Sequence, residues 1–214
     1  MKPITLQKPK IARMLEPKSM ADLYVDDDFS LGSCLIEDSH FENQAVSRIA
    51  LDSARIRNCR FSGTDFGRSD FVDIVFENCD FSNANFSEAG LHRVEFRDCK
   101  LVGTTFSDCR FKNVLFEASA VNLASFFQNH LSNVRFSDCL AKGIYLYECL
   151  LKLVEFSACE LDTADFFGTS LRGIDISTST FEKLNVSHES LQGCLVSSEQ
   201  AVRVAEILGL VVVE

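Results

Sequence analysis

FVDIVFENCDFSNANFSEAGLHRVEF, residues 71–96, is the stretch whose reading decides how this chain folds. A large apolar side chain returns every fifth residue, at Phe71, Phe76, Phe81, Phe86, Leu91 and Phe96. A period of five fits neither the 3.6 of a helix nor the 2 of a plain strand. Followed outward in both directions, the series runs without a slip from Leu31 to Val196, 34 consecutive apolar positions of which only Ala141 is small. Sixteen of the 19 phenylalanines lie on it.

Two residues before each large position sits a small one. All nine cysteines fall there (Cys34, Cys59, Cys79, Cys99, Cys109, Cys139, Cys149, Cys159 and Cys194), mostly among Ala, Ser, Thr, Val and Ile. Small, outward, large is the alternation of a strand. The next two residues are often Asn, Asp, Ser or Gly, which favour a turn. Each unit is therefore one short wall and one corner. The small positions repeat in kind every 20 residues, as in Ile74, Val94, Val114, Val134, Val154 and Ile174, so four units close one coil. The predicted fold is an all-β solenoid, a right-handed quadrilateral β-helix over residues 29–196, about 40 Å long at ~4.8 Å per coil. Both ends of a solenoid need covering.

Residues 1–28 are expected to form a basic N-terminal arm or cap: within 1–18, Lys2, Lys8, Lys10, Arg13 and Lys18 face only Glu16, and all three prolines lie there. Residues 197–214 leave the repeat. Ser197 and Gln200 form a capping-box pattern that starts a helix over 200–208, and Gly209 stops it. Its apolar residues cover about 220° of the helical wheel, where a surface helix needs only about 100°. With the β-prone run that follows, they predict a homodimer interface of Ala201, Val202, Val204, Ala205, Leu208, Leu210, Val211, Val212 and Val213. The alternative is a cap that buries itself.

The composition narrows the function. No apolar run is long enough for a membrane span, and the N-terminus lacks the apolar core of a secretory leader, so a cytoplasmic protein is expected. Beyond residue 18 the chain carries 30 acids against 16 bases, which disfavours direct nucleic-acid binding. No catalytic residues, metal ligands or cofactors are assigned. The cysteines lack the short spacing of a zinc site and read as packed core. His40, His92, His130 and His188 are scattered, and there is no phosphate-binding loop. The outer surface remains. Sorted by the 20-residue period, one wall carries Glu37, Asp38, Glu77, Glu95, Asp98, Glu117, Asp138, Glu155 and Asp175 against Arg55, Arg57, Arg97 and Arg135. The opposite wall carries Asp65, Glu88, Asp108, Glu148 and Asp165 against Arg48 and Arg68. Two opposed acidic walls on a stiff rod resemble the charged flanks of a duplex.

The run Cys79-Asp80-Phe81-Ser82-Asn83-Ala84-Asn85-Phe86 looks like a pentapeptide-repeat protein, and the whole span from about 31 to 196 fits. The length, the unbroken repeat and the ending Ser198-Glu199-Gln200-Ala201-Val202-Arg203-Val204-Ala205-Glu206-Ile207-Leu208-Gly209-Leu210 are similar to the quinolone-resistance (Qnr-type) group. That resemblance implies a DNA-mimicking dimer joined through its C-termini, which binds the type II topoisomerases DNA gyrase and topoisomerase IV and protects them from quinolones. The topoisomerase-binding residues are expected on the first of the two acidic walls, from Glu37 to Asp175. The loops that project from some members have no counterpart here, because the register never shifts. Two other readings are an adaptor solenoid with a different partner and self-immunity against a gyrase poison; an enzyme ranks last.

Overall fold

The computed structural model describes residues 4–24 and 29–213. Its four walls are named in chain order, centred on Leu31, Ile36, Phe41 and Val46 and on every twentieth residue after each. Strands Ala50–Arg57, Asp70–Glu77, Gly90–Arg97, Arg110–Glu117, His130–Ser137 and Leu150–Ser157 each cover the first and second walls and the corner between them. They pair in parallel at a shift of 20, with Leu51 on Phe71, Phe71 on Leu91 and Leu91 on Phe111. The fourth wall holds a second parallel sheet of short strands, from Thr105–Ser107 to Leu184–Asn185. On the third wall the pairing is a ladder of single bridges, His40–Arg60 through Glu160–Thr180. Parallel strands joined by such crossovers wind right-handed.

Corners follow from local sequence. Every fifth residue from Ser33 to Gly173 has positive φ. Asn, Asp and Gly tolerate that conformation and fill many of these positions, including Asp38, Asn58, Asn78, Asp98 and Gly103. Arg48, Leu123 and Thr163 adopt it as well, at φ 66°, 58° and 58°. There the pairing of whole coils overrides the residue's own preference.

The interior is a stack of rings. Phe76, Phe96, Phe116, Phe136 and Phe156 lie one above another with centroids 4.7–5.0 Å apart and planes within 15°. On the fourth wall Phe66, Phe86, Phe106 and Phe126 stack at 4.8–5.1 Å. Across the corners the rings meet edge to face, as Phe61 and Phe66 do at 69°. The predicted inward positions are buried with few exceptions, among which are Gln44, which faces solvent, and Phe41, which is half-buried in the first coil.

Buried polar atoms explain the cysteines. The carbonyl at a wall centre accepts a hydrogen bond from the small residue 23 positions later. Cys109 Sγ reaches Phe86 O at 2.9 Å, Cys149 Sγ reaches Phe126 O at 3.1 Å, and Cys79 Sγ reaches Ile56 O at 3.6 Å. Thr104, Ser119 and Asn129 make the same bond from the same phase, to Phe81, Phe96 and Phe106. The small phase thus supplies donors as well as fitting the space.

Both ends are covered. Glu16–Pro17 pairs in parallel with Cys34–Leu35 below the first coil, and the short 3-10 helix Met20–Tyr24 buries Met20 and Leu23 beneath it. At the far end the helix Ser198–Ile207 begins at the capping box, with Gln200 N donating to Ser197 Oγ and Ser197 N to Gln200 Oε1. Gln200 Nε2 donates to Ile176 O and Ser179 O at 2.8 and 2.6 Å, closing carbonyls that no further coil can reach. Leu208 is the C-cap, and Gly209 turns the chain at φ 85°. No helix among the described residues is long and apolar enough to cross a membrane.

Candidate protein-binding surface

The nine acids assigned to the second wall share that wall, but they do not form a bare carboxylate face. Glu77 is clamped by Arg55 and Arg57, each at 2.7 Å. Glu37 lies 3.6 Å from Arg57, Glu117 3.3 Å from Arg97, and Glu155 3.1 Å from Arg135. Glu95 pairs with Arg97 at 2.8 Å and is only 8 % exposed, so this residue is withdrawn from any surface a partner could touch. Asp38, Asp98 and Asp138 share the corner column between the second and third walls and are exposed. Asp38 accepts from Asn58 Nδ2 and Asp138 from Ser137 Oγ. Asp175 accepts the Ser177 amide at 2.9 Å, and with the Ser177 hydroxyl this holds its carboxyl below the usual range.

The fourth wall is less neutralised. Glu88, Asp108 and Glu148 are exposed along one corner, and Asp65 and Asp165 are half-buried beside it. Arg68 pairs with Glu88 at 3.0 Å and lowers its pKa. Asp65 and Asp165 accept from Asn85 and Asn185, which costs them no charge. Between these acids runs an outward aromatic ladder, Phe127 on Tyr147 at 5.4 Å and Tyr147 on Phe167 at 5.7 Å. These rings lie off the five-residue series and are not among the site residues expected from the sequence. The signal was present in the sequence: three aromatics 20 residues apart.

Residues 4–12 run along the outside of the coils. The amides of Ile4, Gln7, Lys10 and Ala12 donate to Glu155 Oε2, Asn113 Oδ1, Asp73 Oδ1 and Ser53 Oγ at 3.3, 3.2, 2.7 and 3.0 Å. Arg135 donates to Ile4 O and Ser53 Oγ to Lys10 O. The arm lies on the corner between the first and second walls, where outward positions Asp73, Val75, Glu95 and Asn113 are 4–8 % exposed. Composition marked these residues as basic and proline-bearing, but nothing in their order predicts this path.

At the C-terminus, Val204 and Ile207 pack partly against the core. Val202, Leu208, Leu210, Val211, Val212 and Val213 are 42–88 % exposed, and Ala201 is exposed beside them. Ala205 is half-buried. Of the cysteines, eight are at most 4 % exposed. Burial raises the thiol pKa of Cys109 to about 12 and those of Cys149 and Cys194 to about 11. Such thiols are packed donors, poor nucleophiles at neutral pH.

Comparison with known proteins agrees with this architecture. The family model described as pentapeptide repeat region matches residues 51–126 and 69–146. No curated protein sequence matches the chain. Among solved structures, HetL of the cyanobacterium Nostoc sp. strain PCC 7120, a pentapeptide repeat protein involved in heterocyst differentiation regulation, superposes with a TM-score of 0.56 at 14 % identity, over 76 % of this chain and 85 % of that one. A trypsin-treated variant of QnrB1, a plasmid-mediated fluoroquinolone resistance protein, gives 0.46 at 23 % identity over 84 % and 90 %. The repeat, its 20-residue register, the family match and the shared fold with HetL lead to one assignment: the chain is a pentapeptide-repeat protein.

Proposed function

We propose that this protein works by binding rather than catalysis, as a DNA mimic for the type II topoisomerases DNA gyrase and topoisomerase IV, which it protects from quinolone antibiotics. The observation that carries the reading is the pair of opposed acidic walls on a rod whose coils step by ~4.8 Å. The Qnr-like ending from Ser198 to Leu210 directs it to topoisomerases, and the exposed Leu210–Val213 run supplies the surface for a homodimer through the C-termini. The exposed corner acids Asp38, Asp98 and Asp138 and the fourth-wall acids Asp108 and Glu148, which hold no arginine among the described residues, are the groups placed to meet a cationic groove. Glu37, Glu77, Glu88, Glu117 and Glu155 already hold arginine partners, and Asp175 is hydrogen-bonded to Ser177.

The deciding experiment is a gyrase supercoiling assay with a quinolone present, with and without the purified protein. Restored supercoiling and fewer cleaved complexes are expected. No binding to either topoisomerase, with no change in cleavage, would remove the proposal. A second reading, an adaptor for a different protein partner, draws on the Phe127–Tyr147–Phe167 ladder, because a duplex presents no such hydrophobic stripe. If the ladder is the contact, Tyr147→Ser abolishes capture of that partner while charge reversal of Glu88 and Asp108 leaves it intact.

A further inference from the structure

Docking of residues 4–12 uses the backbone of the arm and side chains of the coils. Four amides meet four side-chain acceptors, and two of the arm's carbonyls are capped in return. The spacing is matched. Between Gln7 and Lys10 the arm advances three residues, which in polyproline-like extension spans about 9–10 Å. Their acceptors, Asn113 and Asp73, lie two coils apart, at ~4.8 Å per coil also about 9–10 Å. Ile4 and Gln7 span a comparable step, from Glu155 to Asn113, two coils and two residues apart.

The side chains sort accordingly. Ile4, Leu6, Pro9 and Ile11 are half-buried against the coils, while Gln7, Lys8 and Lys10 face outward. Beneath them Asp73 and Asn113 are polar, outward in phase, and 6 % and 4 % exposed, each with a side-chain oxygen accepting from an arm amide, a carboxylate oxygen on Asp73 and an amide oxygen on Asn113. A recognition mode built on main-chain amides accepts any extended segment, and the carboxylates among its acceptors, Asp73 and Glu155, with the Lys10 charge acting on Asp73, favour a basic one.

We propose that the corner between the first and second walls is a binding groove for extended basic polypeptide segments, which the chain's own residues 4–12 fill in the free protein and a segment of like chemistry from a partner displaces. The groove is defined by the arm's geometry, and it stands whether or not the partner is a topoisomerase. Tethering gives the arm an effective concentration in the millimolar range, so it excludes weak competitors until a multivalent partner engages the rest of the rod.

The test uses the full chain carrying Gln7→Pro and Lys10→Pro. These changes delete two amide donors from a segment that already holds Pro3 and Pro9 and leave every coil residue in place. The probe is a fluorescent peptide of residues 1–15, MKPITLQKPKIARML, read by anisotropy. The Ile4 and Ala12 amides, retained in the variant, are expected to exchange at least tenfold faster than in the parent, with the melting temperature of the coils unchanged. The peptide should then bind the variant with at least tenfold higher affinity than the parent, and adding Asn113→Gly should abolish that difference; glycine accepts the positive φ there, so the corner is not strained. Equal exchange in parent and variant would show that the arm is not docked. Faster exchange without peptide binding would show a passive cover. Either result overturns the proposal.

Discussion

Cys109 shows what a single inward residue must do. It fills space next to stacked rings, and its thiol closes the Phe86 carbonyl at 2.9 Å. Alanine at 109 keeps most of the packing and leaves that carbonyl with the Ala89 amide, at 3.0 Å, as its remaining donor, a cost of about 0.5–1.5 kcal/mol that calorimetry would register as a lower Tm. Serine at Cys79 should cost far less, because Ser119 occupies the same column and its hydroxyl makes the equivalent bond to Phe96 O at 3.3 Å. Ala124 tests volume instead. It is fully buried, and Ala124→Phe should destabilise by about 1–3 kcal/mol or prevent folding, as overpacking does. A parental Tm would contradict its inward position. The sequence showed these residues to be small and inward, since both follow from phase. It did not show that they donate, because the acceptor lies 23 residues away on a neighbouring coil.

Elements at the two ends behave differently from the coils. For the N-terminal arm, Asp73 is the titrating group. The Arg93 guanidinium holds its carboxyl below the usual range, burial opposes this, and the Lys10 amide adds to it. A depressed folded pKa means stabilisation that is complete above the unfolded value near ~3.9 and lost as pH falls through the folded one. Amide shifts of residues 7–12 should therefore hold from pH 7 to about 5 and move toward coil values below about pH 4, ahead of the core. At the other end, Gln200→Ala removes half of the capping box and both bonds to the last coil, about 1–2 kcal/mol seen as fraying of Ser198–Ile207. Val211→Glu with Val213→Glu should shift the sedimentation coefficient from dimer to monomer; a monomer in the parent would remove the C-terminal interface. The capping box was legible from Ser197 and Gln200 because it is local. The second task of Gln200, on Ile176 and Ser179, was not, since those carbonyls are freed only where the coil ends.

For the whole molecule, the question is which side of the rod meets a partner. Arginines on the second wall neutralise much of its acid, Glu95 among it, and the arm takes an oxygen of Glu155 as well. The fourth wall keeps three exposed acids on one corner, with one arginine paired among them. Double reversal of Glu88 and Asp108 to lysine should therefore weaken topoisomerase binding more than the same change at Glu95 and Glu155, by about tenfold per 1.4 kcal/mol lost, and the difference should shrink at high salt. Equal losses, measured by surface plasmon resonance at low and high ionic strength, would return the second wall to the first rank.

By itself the sequence determined the coil. A period of five, a super-period of 20 and a small-large alternation leave one winding that buries the phenylalanines of the series, all but Phe41 in the first coil, because each is a nearest-neighbour constraint repeated along the chain. Only the tertiary structure decided what the surface is made of. Which acids are paired, which lie under the arm and which stand free depends mostly on groups 20 to 151 residues apart meeting across coils, and no local pattern encodes those meetings. The arm is the clearest case: composition marked residues 1–18 as different, but their place on the corner is fixed by acceptors that come into line only once the rod has formed.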